Sequence, residues 1–517
     1  MSLQKLLGTV MVLLVCNLAA AVQSSASPEQ PRPNIILFLV DDMGWQESSL
    51  PFHTEPTVLN RRYHTPAMER LAREGLKFTR AYASSVCSPT RISILSGMNA
   101  ARHGVTNWTL RRGLSPDDRH ARFDPPAWNV NGATTFAGIE RTVRITPLPE
   151  MLRGVGYRTI HIGKAHFGAQ GTPGEDPRHF GFEVNIGGHA AGAPGSYYGR
   201  RNFSSSWRGR EGDRIWDVPG LERWHGQEVN LTEALTVEAI NAIEQAVEDG
   251  RPFYLGLSHY AVHAPWEEDE RFYQKYIDQG LKPFEAMRAS MIEGMDRSLG
   301  DILAALDRFG VADRTMVIFA SDNGAPHAVP ASLPLRAQKL APYEGGIRVP
   351  MLIRWPGKAG PGTTYQQPVI IEDLFPTILA AAGVEWRQRT VQVVDGRNLS
   401  PVLGGRREAG PARRLIFHFP HQYYGQGPFS AIIFGEWKLI HHYDDQRNEL
   451  FNLATDLGET TDLARKDGRR TCELLRQLAT ELKRRGARRP IDRATGRETS
   501  LPDCPAILNQ TSFQPLR

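Results

Sequence analysis

From Asn34 to Val40 the chain reads NIILFLV, six apolar residues in a row after one polar residue. The run is too short for a core helix and lacks the alternation of a half-exposed strand. It therefore predicts a strand buried on both faces. Two further runs have the same character, FYLGL at Phe253–Leu257 and MVIFA at Met316–Ala320. Helical spacing of apolar residues occupies Pro66–Glu74, Thr232–Glu248 and Glu285–Phe309. Strands alternating with helices predict an α/β fold, a large mostly parallel sheet flanked by helices. After about Gly404 the pattern changes to four short strands, LIFHF, AIIFG, WKLIHH and ELFNL. An amphipathic helix around Cys472–Arg484 follows, so a smaller antiparallel sheet with one covering helix is expected. The predicted organisation is a leader over 1–26, a large unit over 33–404 and a C-terminal subdomain over 405–517. Two stretches, Leu110–Thr146 and Gly187–Gly226, are rich in Gly, Arg and aromatic or Pro residues and have no clear period; they read as long surface insertions.

The leader has the three parts of a signal peptide: Lys5, an apolar run over Leu6–Val22, and the small residues SSAS. Cleavage is expected near Ala21 or Ala26. A membrane anchor fits less well, because the run is short and broken by Asn17. A lipoprotein at Cys16 is disfavoured by Val15, where a small residue is wanted. No later segment is apolar enough to span a bilayer, so a secreted or periplasmic protein without stable membrane insertion is expected. The 61 basic and 56 acidic residues leave a formal charge of +5, spread along the chain. That distribution gives no nucleic-acid footprint; it suits an anionic substrate without demanding one. Of four cysteines, Cys16 leaves with the leader, and Cys472 and Cys504 are able to pair in an oxidising compartment. Cys87 is left alone.

Each buried run ends in polar residues. The first gives Asp41 and Asp42, the third Asp322 and Asn323, and the second leads to His259 and His263. Ligands of such sheets bind beyond the carboxyl ends of the strands. Three carboxylates and an amide oxygen are hard donors that suit Ca²⁺, and three close carboxylates repel one another without a divalent cation. Taken singly, each acidic pair fits a cap or turn equally well.

The segment VCSPTRISILSG, Val86–Gly97, contains C-x-P-x-R followed by a small-residue helix and a Gly. Four more segments accompany it: DDMG at Asp41–Gly44, GYRTIHIGKAHFG at Gly156–Gly168, SDNG at Ser321–Gly324 and KLAPYEGGIRVP at Lys339–Pro350. Together and in this order they resemble the sulfatase family, within the alkaline-phosphatase-like fold. The resemblance implies that Cys87 is oxidised to formylglycine by a formylglycine-generating or equivalent maturation enzyme. It implies Ca²⁺ bound by Asp41, Asp42, Asp322, Asn323 and residue 87. The hydrated aldehyde would attack sulfur, with Arg91 holding its orientation. Lys164 and Lys339 would contact sulfate oxygens. His263 would protonate the leaving sugar oxygen or bind the sulfate edge, and His166 would take the proton whose loss expels sulfate. His103, in RHGV, is a further candidate pocket residue, whereas His259 reads as structural. One departure stands out: the family's Trp between Lys164 and His166 is Ala165 here, which either widens the pocket floor or alters packing.

The segment from Asn60 through GMNAARHGVTNWTL resembles exported bacterial polysaccharide sulfatases. The implied substrate is a sulfated oligosaccharide or polysaccharide, with galactose or N-acetylgalactosamine units favoured and the 4-position ahead of the 6-position; the long aromatic insertion over Gly187–Gly226 is expected to close a pocket that takes it at a chain end. Two other functions stay open. A phosphate or phosphonate monoester hydrolase of the same fold shares the nucleophile, and a non-catalytic sulfated-glycan-binding protein would keep the scaffold. The complete set from Asp41 to Lys339 argues against the latter.

Overall fold

The computed structural model describes residues 32–206, 214–326, 332–406, 410 and 412–505. The expected leader, with Cys16, lies outside the described residues. Strand Asn34–Val40 lies inside the main sheet, between Thr315–Ser321 on one side and Phe253–Ser258 on the other, parallel to both. Its side chains divide by parity, as a pleated strand requires. Ile36, Phe38 and Val40 enter one apolar cluster with residues of helices Pro66–Glu74, Leu231–Glu248 and Pro283–Arg308. Ile35, Leu37 and Leu39 enter the opposite cluster with residues of Cys87–Ser96, Leu148–Arg153 and Leu374–Ala381. Both faces are covered, which is why no polar residue interrupts the run.

The sheet has nine strands among the described residues. From one edge they run Thr363–Tyr365, Leu76–Tyr82, Arg348–Arg354, Thr315–Ser321, Asn34–Val40, Phe253–Ser258, Arg158–Gly163 and Val184–Ile186, with Val369–Ile370 also pairing on Leu76–Tyr82. Only Arg348–Arg354 runs antiparallel to its neighbours. The fold is therefore the expected mixed α/β type with a mostly parallel sheet. No described helix is long and apolar enough to cross a membrane.

Strands Arg414–Phe419, Phe429–Phe434, Trp437–His442 and Asn448–Asn452 form a four-stranded antiparallel sheet in sequence order. One face packs against Leu474, Leu475, Leu478 and Leu482 of helix Gly468–Arg485. The other packs against Tyr82, Val86, Cys87, Leu340 and Ile347 of the large sheet's unit. The described residues from Pro33 onward accordingly form one compact unit. Lys438 of the small sheet is fully buried and ion-paired with Glu344 at 3.1 Å and Glu459 at 2.8 Å, tying it to the Lys339–Pro350 segment. Cys472 and Cys504 form a disulfide.

Candidate active site

Register alone gathers the site. Ser321, Val40, Ser258 and Gly163 lie at the same end of four adjacent parallel strands, with Val40 opposite Ser321 and Gly163 opposite Ser258. Asp322, Asp41, His259 and Lys164, the residues that follow them, project beyond that end. Gly163 has φ +93°, and a Cβ there would lie 2.0 Å from the Ser258 carbonyl oxygen. Only glycine lets the chain turn there and bring Lys164 inward.

Asp41, Asp42 and Asp322 are buried, and one oxygen from each lies within 4.8 Å of the others. Three cations face them. Lys164 Nζ donates to Asp41 Oδ2 at 2.5 Å and Lys339 Nζ to Asp42 Oδ1 at 2.5 Å. Arg91 Nε donates to Asp322 Oδ2 at 3.0 Å, and its Nη1 to the Lys164 carbonyl at 2.8 Å. Burial pushes the Asp41 carboxyl up against the pull of Lys164, and burial with the Asp41 charge does the same to Asp322. Asp42 is held below the usual range, because Lys339 and His263 outweigh its burial.

The donor set fits a hard divalent cation. Asp41 Oδ1 and Asn323 Oδ1 are buried acceptors with no hydrogen-bond partner. Buried oxygens in native proteins are normally satisfied, and a pair without donors beside crowded carboxylates is suited to ligating a cation. Asn323 is fixed by its own amide, which donates to Asp42 Oδ1 at 2.7 Å.

Cys87 is the first residue of helix Cys87–Ser96, all ten residues of which are buried. Pro89 is tolerated because it lies in the first turn. Gly97 closes the helix in the left-handed conformation, its N–H donating to the Ser93 carbonyl at 2.8 Å. Arg91 lies one turn on from Cys87, so both reach the same cation-rich end of the sheet. Burial raises the Cys87 thiol above its usual range against the pull of Lys164 and Lys339, which leaves an unmodified Cys87 protonated and a poor nucleophile.

Two histidines complete the site. His166 Nε2 donates to the Thr109 carbonyl at 2.7 Å, leaving Nδ1 buried, unprotonated and without a partner. Burial, with Lys164 and Arg91 nearby, depresses it far below the ordinary imidazole value. A neutral ring fixed in one tautomer is a ready proton acceptor. His263 donates from Nδ1 to the Ala264 carbonyl at 2.7 Å, and its Nε2 lies 3.7 Å from Asp42 Oδ2. Burial lowers it to about 3 against the pull of Asp42. Asp42, Cys87, His166, His263 and Lys339 line one cavity of about 580 Å³.

Residues 33–384 match the Sulfatase family, and residues 338–488 match the family described as N-sulphoglucosamine sulphohydrolase, C-terminal. The chain belongs to the sulfatase family. It is a sulfuric ester hydrolase. A sulfatase of Formosa agariphila is 29% identical over 91% of both chains. Human N-acetylgalactosamine-6-sulfatase is 32% identical over 73% of this chain and 67% of that one. The crystal structure of Ps i-CgsB in complex with k-i-k-neocarrahexaose matches with a TM-score of 0.71 at 25% identity, covering 87% of this chain and 93% of that one.

His103, a candidate pocket residue from its motif, does not line the cavity: it is fully buried, its Nε2 is 3.2 Å from both Ser93 Oγ and the Pro89 carbonyl, and its Nδ1 accepts from the Val105 N–H at 3.1 Å. It braces the helix that carries Cys87. Ala165, where the family has Trp, is buried in the apolar cluster that includes residues of that helix and does not line the cavity. His259 bonds to Ser298 Oγ at 2.9 Å inside the fold, in keeping with a structural part. Arg288, which stands in none of the sequence motifs, is buried and donates to the carbonyls of Asp42 at 2.6 Å and Val262 at 2.5 Å while paired with Glu47. Also outside the expected site residues are Trp108, Tyr423 and Tyr424 on the cavity wall. The latter two come from the loop between the first two strands of the small sheet, a region carrying no catalytic motif.

Proposed function

We propose that this sulfatase removes sulfate from carbohydrate, with formylglycine at position 87 and calcium held by Asp41, Asp42, Asp322 and Asn323. The observation that carries the reading is the meeting, at one buried sheet end, of Cys87, three carboxylates and three fixed cations beside orphaned acceptor oxygens. When present, the aldehyde and the ion together supply an oxygen nucleophile that ionises near neutral pH. Arg91, anchored on Asp322, orients residue 87 from one helical turn away. Lys164 and Lys339 exchange carboxylate oxygens for sulfate oxygens and meet the charge that grows on them. His166 Nδ1 accepts the proton released at residue 87. Burial holds His263 below the ordinary imidazole value, and a sulfate ester beside it adds the negative charge that raises its affinity for the proton given to the leaving oxygen.

The substrate reading draws on the relatives. The human protein is named for N-acetylgalactosamine 6-sulfate, and the 25%-identical neighbour was crystallised with a neocarrahexaose. Both names support galactose-type sugars, and the name of the human relative alone supports the 6-position over the 4-position expected from sequence. Action at a chain end is supported by the insertion after Gly187, which brings Gly192, Ala193 and Trp216 around the cavity. The signal-like leader and the Cys472–Cys504 disulfide support export to an oxidising compartment.

Comparative turnover tests this reading. Nitrophenyl sulfate should be hydrolysed far faster than nitrophenyl phosphate, and 6-sulfated N-acetylgalactosamine faster than sulfated glucosamine or uronic acid. A preference for phosphate would shift the assignment to the phosphoester hydrolases of this fold. His263→Ala should slow a sugar sulfate far more than nitrophenyl sulfate, because only the sugar needs its leaving oxygen protonated.

A further inference from the structure

The cavity is larger than the chemistry needs. Ligand pockets of about 300–1,000 Å³ bury drug-sized ligands, and one sulfated hexose is smaller than these. At about 580 Å³, this cavity has room for more than the sugar placed over Cys87. Beyond the nucleophile, one wall is aromatic. Trp108 packs edge-on to Tyr423 with ring centroids 6.0 Å apart, and Tyr423 packs edge-on to Tyr424 at 4.8 Å. Trp108 and Tyr423 are half-buried, and Tyr424 at the mouth is 73% exposed.

The exposure is built. Tyr424 has φ +47°, a conformation that costs a bulky side chain energy and persists only where its surroundings impose it. Here the first insertion imposes it. Asp118 Oδ2 accepts from the Tyr424 N–H at 2.6 Å, and the Asp118 N–H donates to the Gln422 carbonyl at 2.8 Å. Next to them, His421 is buried between Asp117, 2.9 Å from its Nδ1, and Thr106 Oγ1, 2.7 Å from its Nε2. Tyr423 and Gln426 exchange two backbone hydrogen bonds, closing the loop. Two distant segments are thus clamped together, and the clamp presents an aromatic ring to solvent at the mouth of the site.

The geometry points to a second sugar position. Tyr424, with Tyr423 behind it, is the platform on which the unit next to the sulfated sugar lies, and Asp118 and His421 are positioning residues for it. Rings of this kind give large contact area at small entropic cost, and a pyranose offers an apolar face to match. The inference rests on the carbohydrate reading above and adds to it that an oligosaccharide end, rather than a free monosaccharide, is the preferred form.

The test compares nitrophenyl sulfate, 6-sulfated N-acetylgalactosamine, and a tetrasaccharide with that unit at its end. The wild-type enzyme should favour the tetrasaccharide over the monosaccharide in kcat/KM. Tyr424→Ala should lower kcat/KM on the tetrasaccharide by about tenfold, chiefly through KM, with a smaller loss on the other two. Tyr424→Phe should keep the preference, and Asp118→Ala should lose part of it. Equal losses on all three substrates, or a wild type indifferent to chain length, would overturn the second position. Turnover of nitrophenyl sulfate with none of either sugar would instead contradict the carbohydrate reading, and the second position with it.

Discussion

The floor and the rim of the cavity are built on different terms. The floor consists of residues at the ends of four adjacent strands and one helix, and its charged groups are buried and paired one to one. Asp41, Asp322, Arg91 and Lys164 have essentially no exposure. The rim is aromatic, part-exposed and assembled from the segments around Trp108, Trp216 and Tyr423. The floor is fixed by regular register, so its chemistry tolerates no displacement. The rim is fixed by loop-to-loop bonds such as Asp118 to Tyr424, so it can vary without disturbing the floor. The difference separates turnover from selection.

If that separation holds, changes to the floor should be catastrophic for rate on every substrate. Cys87→Ala should lower turnover by at least about 10⁴-fold on every substrate while the thermal midpoint stays within a few degrees of wild type. Asp322→Ala should lower turnover by about 10³-fold and remove the effect of calcium on stability. In the wild type, calcium at a hundredfold excess over its Kd should add about 2.7 kcal/mol, read by denaturant titration. Where floor meets rim, Gly192 touches His166: a Cβ there would lie 2.4 Å from Cε1 and 2.7 Å from Nδ1. The ring is pinned by Thr109, so Gly192→Ala should push it out of place and lower kcat by about 10²-fold in a folded protein. On the rim, Trp216→Ala should raise KM several-fold and leave kcat within about twofold, and an equal fall in kcat would erase the distinction. The smallest effect on rate belongs to the disulfide. It closes a loop of sequence separation 32, so its removal should cost about 2–4 kcal/mol of stability with room-temperature turnover unchanged.

The same division decided what the sequence could show. Asp41, Asp42, Asp322, Asn323, Lys164 and His166 are legible because each directly follows a buried strand or sits in a contiguous motif. The three helices of Pro66–Glu74, Leu231–Glu248 and Pro283–Arg308 were legible through period, the first with both ends in place and the other two with ends shifted by at most two residues. His103 misled because its motif position resembles a pocket residue, whereas burial and three local contacts make it a brace. Tyr423 and Tyr424 left no local signal: an aromatic pair in a loop is common, and only the clamp from Asp117 and Asp118, more than 300 positions away, gives it meaning. Arg288 was hidden for the same reason, as a single charge in a long helix whose partners Glu47 and Asp42 lie about 240 residues earlier.

The central claim concerns the state of residue 87 and is tested most directly by mass spectrometry of the proteolytic peptide that carries it, measured on samples whose turnover is known. The account predicts a peptide whose Cys87 has lost its sulfur and gained the oxygen of an aldehyde, in a fraction that tracks specific activity from sample to sample. Full turnover from protein in which Cys87 remains a thiol throughout would contradict it.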